Sequence, residues 1–240
     1  MTVRPIEASP QSYARLGGAL YLVIIVFGAF AEGFITSKLV VSGNAAATGR
    51  NILAAPLLWQ LGVAANLLLV FCAVPLLWIE YLLLRPVSKS LVLLAVLLNV
   101  VSLAVEAMSK VFMLLVMRIL KMGGLEALQQ MNLANLALKA HDVSFNVALL
   151  FFGLTCLLNG YLIYQSGYFP RVIGTLMQVA GACYLVSCTA ALFAPALADL
   201  LIPAILLPCL VGESSLCLWL LIKGVNRARW DEAVSRGPGV

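Results

Sequence analysis

The sequence predicts an all-α, polytopic membrane helix bundle, and three observations carry that prediction. Apolar residues make up 63% of the 240-residue chain and charged residues only 10%, against about 25% charged in soluble domains. The apolar residues fall in runs of the roughly 20 residues that a helix needs to cross a bilayer. No run alternates with the two-residue period of a barrel strand, so continuous helices must satisfy the backbone at that depth. Six spans follow, at about 16–36, 57–84, 91–117, 143–165, 171–194 and 201–223. They form a single transmembrane domain over 1–240, with no room for a second soluble one.

The net charge of +5 does not imply nucleic-acid binding, because the basic residues flank spans. Arg4, Arg15, Arg85, Lys89, Arg171, Lys223, Arg227, Arg229 and Arg236 fall on one side, and Lys38, Arg50, Arg118, Lys121 and Lys139 on the other. Nine against five predicts both termini in the cytoplasm. All six cysteines lie in spans and none forms a C-x-x-C pair, so they read as reduced apolar side chains.

Residues 1–14 read as a polar cytoplasmic arm. The first span runs from Arg15 to a region closed by Glu32. Its Ala29-Phe30-Ala31 imitates a signal-peptide cleavage site, and the expectation is an uncleaved helix. An outer loop follows from Ser37 to Pro56, in which Thr48-Gly49-Arg50-Asn51 caps or turns a short helix. The second span is longer than a bilayer requires and is expected to tilt. It ends near Glu80, which reads as a surface acid beside Arg85, and Arg85-Pro86-Val87-Ser88-Lys89 turns the chain into the third span. After the third span Gly123-Gly124 breaks the helix, and 125–139 is expected to form a short amphipathic helix on the outer surface. The turn Gly167-Tyr168-Phe169-Pro170-Arg171 joins spans four and five. The tail after Lys223 is expected to be short, basic and mobile.

Polar residues inside the spans mark the candidate site. A charged side chain at the bilayer centre opposes insertion by about 2.5–3.5 kcal/mol, so each such residue needs a partner or a use. Glu213 lies near the middle of the sixth span. Asn99, Ser102, Glu106 and Lys110 follow at spacings of three, four and four on the third span, which puts them on one helix face. Glu106 precedes Lys110 by one turn, in the order that favours an ion pair. The plain reading of this stripe is a self-neutralised pair turned inward; the other is a ligand site. His141, Asp142 and Asn146 open the fourth span, where Asp142 suits a helix start and a lone His is more often solvated than ligating. The predicted topology directs Glu32, Glu106, Lys110, His141, Asp142, Asn146, Asn99 and Glu213 toward one outward-facing, carboxylate-rich cavity. All three of Glu32, Glu106 and Glu213 are expected to avoid lipid, with Asn99, Asn146 or Lys110 as the partner of Glu213.

No cofactor is expected. There is one histidine and no H-E-x-x-H, so no metal site is expected, and Gly212-Glu213-Ser214-Ser215 lacks a hydrolase pattern. The catalytic residues, if there are any, are not identified. The reading that fits best is small-solute binding, or cation- or proton-linked binding or transport. An enzyme acting on a lipid-like substrate, with Glu106 or Asp142 as base and His141 as acid or metal ligand, is the first alternative. A structural or sensory subunit is the second, with Gly174, Gly181 and Ala182 as a small-residue face for a homo-oligomer or a membrane-protein partner. The lipid bilayer is the one partner common to all three.

Several segments resemble a bacterial membrane family known as domain-of-unknown-function family 4386. They are Arg15-Leu-Gly-Gly-Ala-Leu-Tyr-Leu continuing to Ala31-Glu32-Gly33, Thr48-Gly-Arg-Asn-Ile52, Arg85-Pro-Val-Ser-Lys89, Tyr168-Phe-Pro-Arg-Val-Ile-Gly174 with Ala180-Gly-Ala-Cys-Tyr-Leu185, and Leu207 to Gly224. Asn44 stands where that pattern has an acid, which argues against a metal role for the first loop. The resemblance implies a six-span protein of the bacterial inner membrane and implies no activity.

Overall fold

The computed structural model describes residues 9–236. Among them there are helices and turns and no strand element. The elements are α1 (Pro10–Gly28, prolonged by a π-helical stretch Ala29–Thr36 and the turn Ser37–Leu39), α2 (Ala45–Ala54), α3 (Pro56–Leu84), α4 (Lys89–Leu120), α5 (Ala127–Ser166), α6 (Arg171–Phe193), α7 (Pro195–Leu201), α8 (Leu206–Ile222) and α9 (Arg227–Arg236). Among the described residues five helices are long and apolar enough to cross a membrane. A sixth crossing is counted if α7 and α8, bent by 59° at their break, make one span. The sixth run is therefore not one straight helix, and Pro203, which cannot donate to the helical ladder, sits at its break.

Local chemistry sets the ends. Asn44 caps α2 by accepting from the Ala47 amide at 2.9 Å, so Thr48 to Asn51 lie inside the helix rather than at its start. Gly224 ends α8 with φ +67°, a left-handed conformation that glycine adopts without a Cβ clash.

One expectation is corrected at 125–139. There is no separate amphipathic helix, because α5 runs unbroken for 40 residues, about 60 Å at 1.5 Å per residue. Nothing between Lys139 and Val143 can break a helix; the breaker is Gly123-Gly124, and the helix starts just after it. Of the apolar residues in this first stretch Leu128 is exposed, whereas Met131 packs against the core and Leu138 is buried in it. Ala134, Ala137 and Leu138 pack with Ile52, Met113 and Leu120.

Chain contacts divide the protein into two compact units. The first comprises Met1–Leu22, Cys72–Leu103 and Asn146–Val240, and the second Val23–Phe71 and Ala104–Phe145. In the first unit α5 and α6 meet backbone to backbone at two glycine pairs. A Cβ on Gly174 would lie 2.6 Å from the Gly160 oxygen, and one on Gly181 would lie 2.6 Å from the Gly153 oxygen. The glycines are seven residues apart on both helices, so an antiparallel pair matches them two by two. Gly174 and Gly181, expected as an open face for a partner, are thus covered by the chain's own fourth long helix.

The tail is also corrected. Residues Arg227–Arg236 form α9, and Trp230 is only 1% exposed. Its ring meets Tyr168 edge-on at 5.1 Å. Tyr168 donates its hydroxyl to the Leu83 carbonyl at 2.6 Å and accepts from the Asn226 amide at 3.2 Å through its own carbonyl. Burial raises the Tyr168 phenol far above its ordinary range, so it remains a donor. Gln11 ties the chain's two ends together, donating to the Lys223 carbonyl at 2.6 Å and accepting from the Val225 amide at 3.1 Å.

In the second unit the core is Trp59, Val63, Ile35, Ile52, Met113, Val116 and their neighbours.

Two outcomes follow from this packing. Gly174→Val forces a side chain into a carbonyl and is expected to destabilise by about 1–3 kcal/mol, whereas Gly33→Ala meets nothing within 4 Å and is expected to leave the melting temperature in detergent unchanged. Trp230→Ala frees α9, and trypsin is then expected to cut after Arg227 and Arg229 well before it cuts the native protein, as read by intact-mass analysis.

Candidate functional site

Each unit carries its own set of polar side chains at span depth. In the second unit α4 supplies Glu106 and Lys110. Lys110 has no solvent exposure and Glu106 has 9%. The Lys110 Nζ lies 3.6 Å from Glu106 Oε1, an ion-pair distance beyond hydrogen-bond length. Among the described residues no acceptor lies within hydrogen-bond length of that Nζ. Its remaining contact is the face of Phe145 on α5, 4.4 Å from the ring centroid, a cation–π geometry. His141 stacks on the same ring at 5.8 Å. Its Nδ1 is 3.2 Å from the Ser109 carbonyl, and since a carbonyl only accepts, this nitrogen carries the hydrogen.

The π-helical stretch of α1 brings Glu32 to this set. Asn66 of α3 donates to Glu32 Oε1 at 3.3 Å. Glu32 is half-buried and within electrostatic reach of Glu106, Lys110 and Asp142. Asp142 is on the exposed side of α5. π-Helical turns occur often at functional sites, and the widened turn here carries the one acid of α1.

The first unit holds a second group. Tyr184 of α6 donates its hydroxyl to Glu213 Oε1 of α8, and Phe152 packs edge-on against the Tyr184 ring. Asn159 of α5 donates to Glu80 Oε2 of α3 at 3.0 Å, and these two line a cleft with Leu83, Ile163, Phe169 and Leu216. Glu80 and Glu213 lie within electrostatic reach of each other. Glu80 is therefore half-buried and hydrogen-bonded to a facing helix, where the sequence had suggested a surface acid. On α4, Asn99 and Ser102 are both buried; Ser102 donates to the Ala148 carbonyl at 2.7 Å, while Asn99 Oδ1 accepts no hydrogen bond.

The sequence-predicted residues thus fall in two groups. Glu32, Glu106, Lys110, His141 and Asp142 come together in the second unit. Glu213, Asn99 and the half-buried Asn146 belong to the first. Glu213 does have a hydrogen-bond partner on another span, and that partner is Tyr184, which was not among the residues named for it. Tyr184, Asn66, Asn159 and Phe145 were all missed. Asn66 and Asn159 each stand inside a long apolar run, and a lone amide there was the signal that could have found them. Among the described residues no three His, Cys, Asp or Glu side chains converge to hold a metal ion.

Long apolar helices with buried, mutually paired polar side chains define a multi-pass membrane protein in contact with a lipid bilayer. The family described as a domain of unknown function, DUF4386, matches residues 16–224, and this chain belongs to it. No curated protein matches the chain, and no solved structure does.

Breaking a buried ion pair from one side leaves an uncompensated charge, at a cost of about 3–5 kcal/mol. Glu106→Gln is therefore expected to lower the unfolding midpoint in SDS-titrated mixed micelles. Glu106→Gln combined with Lys110→Met is expected to recover most of that loss, because no orphaned ammonium remains.

Proposed function

We propose that this protein binds a small solute within the membrane and couples that binding to a proton, with Glu106 and Lys110 as the switching pair. We place both termini in the cytoplasm on the nine-against-five distribution of flanking basic residues, and the protein in the bacterial inner membrane as the family resemblance implies. The observation that carries the reading is the Lys110 ammonium, fully buried at span depth, 3.6 Å from a carboxylate and without a hydrogen-bond partner among the described residues. A pair built only to hold helices together would be expected to close to hydrogen-bond length and to satisfy its remaining donors. We take this open pair to be held by charge and by the Phe145 face rather than by a hydrogen bond. Protonating Glu106 removes the charge that holds Lys110, and moving the ammonium releases the carboxylate. Glu32, held by Asn66, is the second carboxylate able to receive either charge. Intramembrane ionisable residues that line such relays are characteristic of proton-linked carriers.

The test uses proteoliposomes with an entrapped pH dye and an imposed pH gradient, to which a panel of small amines, carboxylates, amino acids and monovalent cations is added. At least one class is expected to dissipate the gradient faster with native protein than with empty vesicles, and Glu106→Gln is expected to abolish the difference. No effect of any class on the native protein would overturn the proposal.

A further inference from the structure

We infer that the solute recognised at this site is a small cation of the ammonium class, and that the Lys110 side chain is a tethered copy of it occupying the same seat. The inference rests on the site proposed above and names its ligand. Its starting point is what surrounds Lys110 Nζ. Glu106 of α4 lies at 3.6 Å, and the Phe145 face of α5 at 4.4 Å. Glu32 of α1 is within electrostatic reach, itself held by Asn66 of α3. A carboxylate beside an aromatic face is the chemistry that recognises an ammonium. It belongs to the seat, so it remains when the lysine leaves.

The balance of charge decides between a cation and an anion. The free donors of Lys110 would suit a carboxylate or a phosphate. Yet two carboxylates, Glu106 at 3.6 Å and Glu32, act electrostatically on this one ammonium. His141 is engaged through its Nδ1 with the Ser109 carbonyl and by stacking on Phe145. An arriving anion would meet like charges at short range with little water to screen them. An arriving cation meets an excess of negative charge and a ring already turned to receive it.

The tether explains the open geometry. The Lys110 stem emerges from the same helix as Glu106, one turn along, and it brings the ammonium only to 3.6 Å without closing a hydrogen bond. A free alkylammonium is not bound to that stem and can approach Glu106 closely while remaining over the Phe145 ring. Lys110 then acts as an internal competitor that neutralises the seat when no ligand is present.

The experiment measures binding by calorimetry on the full-length protein in detergent, with ethylammonium as probe and acetate as the anionic control. Native protein is expected to bind ethylammonium saturably and acetate not at all. If the tethered ammonium leaves its seat in about one molecule in ten, Lys110→Ala tightens ethylammonium binding about tenfold. Lys110→Met, which fills the space of the stem, is the second variant should the alanine protein not fold, and it is expected to change affinity in the same direction. Glu106→Gln is expected to abolish binding in either background. Absence of ethylammonium binding to native protein, unchanged affinity in the folded lysine variant, or binding of acetate instead would each overturn the inference. Ethylammonium binding without any dissipation of the pH gradient would refute the coupled function and leave this ligand assignment standing. A gradient dissipated by carboxylates alone would do the reverse.

Discussion

Hydrocarbon offers no hydrogen bonds, and every polar atom carried into it must find its partner inside the protein. That single constraint accounts for the arrangement of this chain more fully than apolar packing does. Lipid tails are as apolar as leucine, so burying leucine against leucine does little to choose one helix neighbour over another. The polar contacts are selective. Glu32 reaches Asn66, Glu80 reaches Asn159 and Glu213 receives the Tyr184 hydroxyl. In each case a carboxylate on one span is matched by a donor on another, and the match fixes which faces of the two helices meet.

Glycine fixes distance where the carboxylates fix identity. The Gly153–Gly181 and Gly160–Gly174 pairs bring two backbones closer than any side chain would allow. Close approach adds dispersion contacts along the whole interface, and these need no water to be released. The glycine pairs lie in the same unit as the Asn159 and Tyr184 contacts. Rigid packing and polar matching therefore act on the same helices, α5 and α6. In the second unit the polar set sits beside a π-helical stretch and an ion pair that does not close, and there the packing leaves charge unsatisfied.

Much of this was legible in the chain. Apolar runs located the spans because the bilayer imposes a length, and Gly123-Gly124 located the start of α5 because no other breaker lies near it. The spacing of Asn99, Ser102, Glu106 and Lys110 is a local property of one helix, and all four are buried. What stayed hidden was non-local. Periodicity tells which way Glu213 points on its own helix and says nothing of the tyrosine opposite. The same limit applied to Glu80, whose nearness to Arg85 in sequence suggested a surface position. Trp230 was overlooked because the eight polar or small residues of α9 set the average of the tail, while one buried indole sets its structure. The π-helical stretch has no sequence signature that we can identify.

The tie made by Gln11 bears on how the protein is made. Its two hydrogen bonds go to Lys223 and Val225, and Gly18 on the same helix lies against Leu221 with no room for a side chain. Ribosomes release chains from the amino end, so α1 enters the bilayer while its neighbours at 217–225 have yet to be synthesised. Its resting contacts form only once α8 and the turn into α9 have followed. Until then Gln11 must be satisfied by solvent or headgroups.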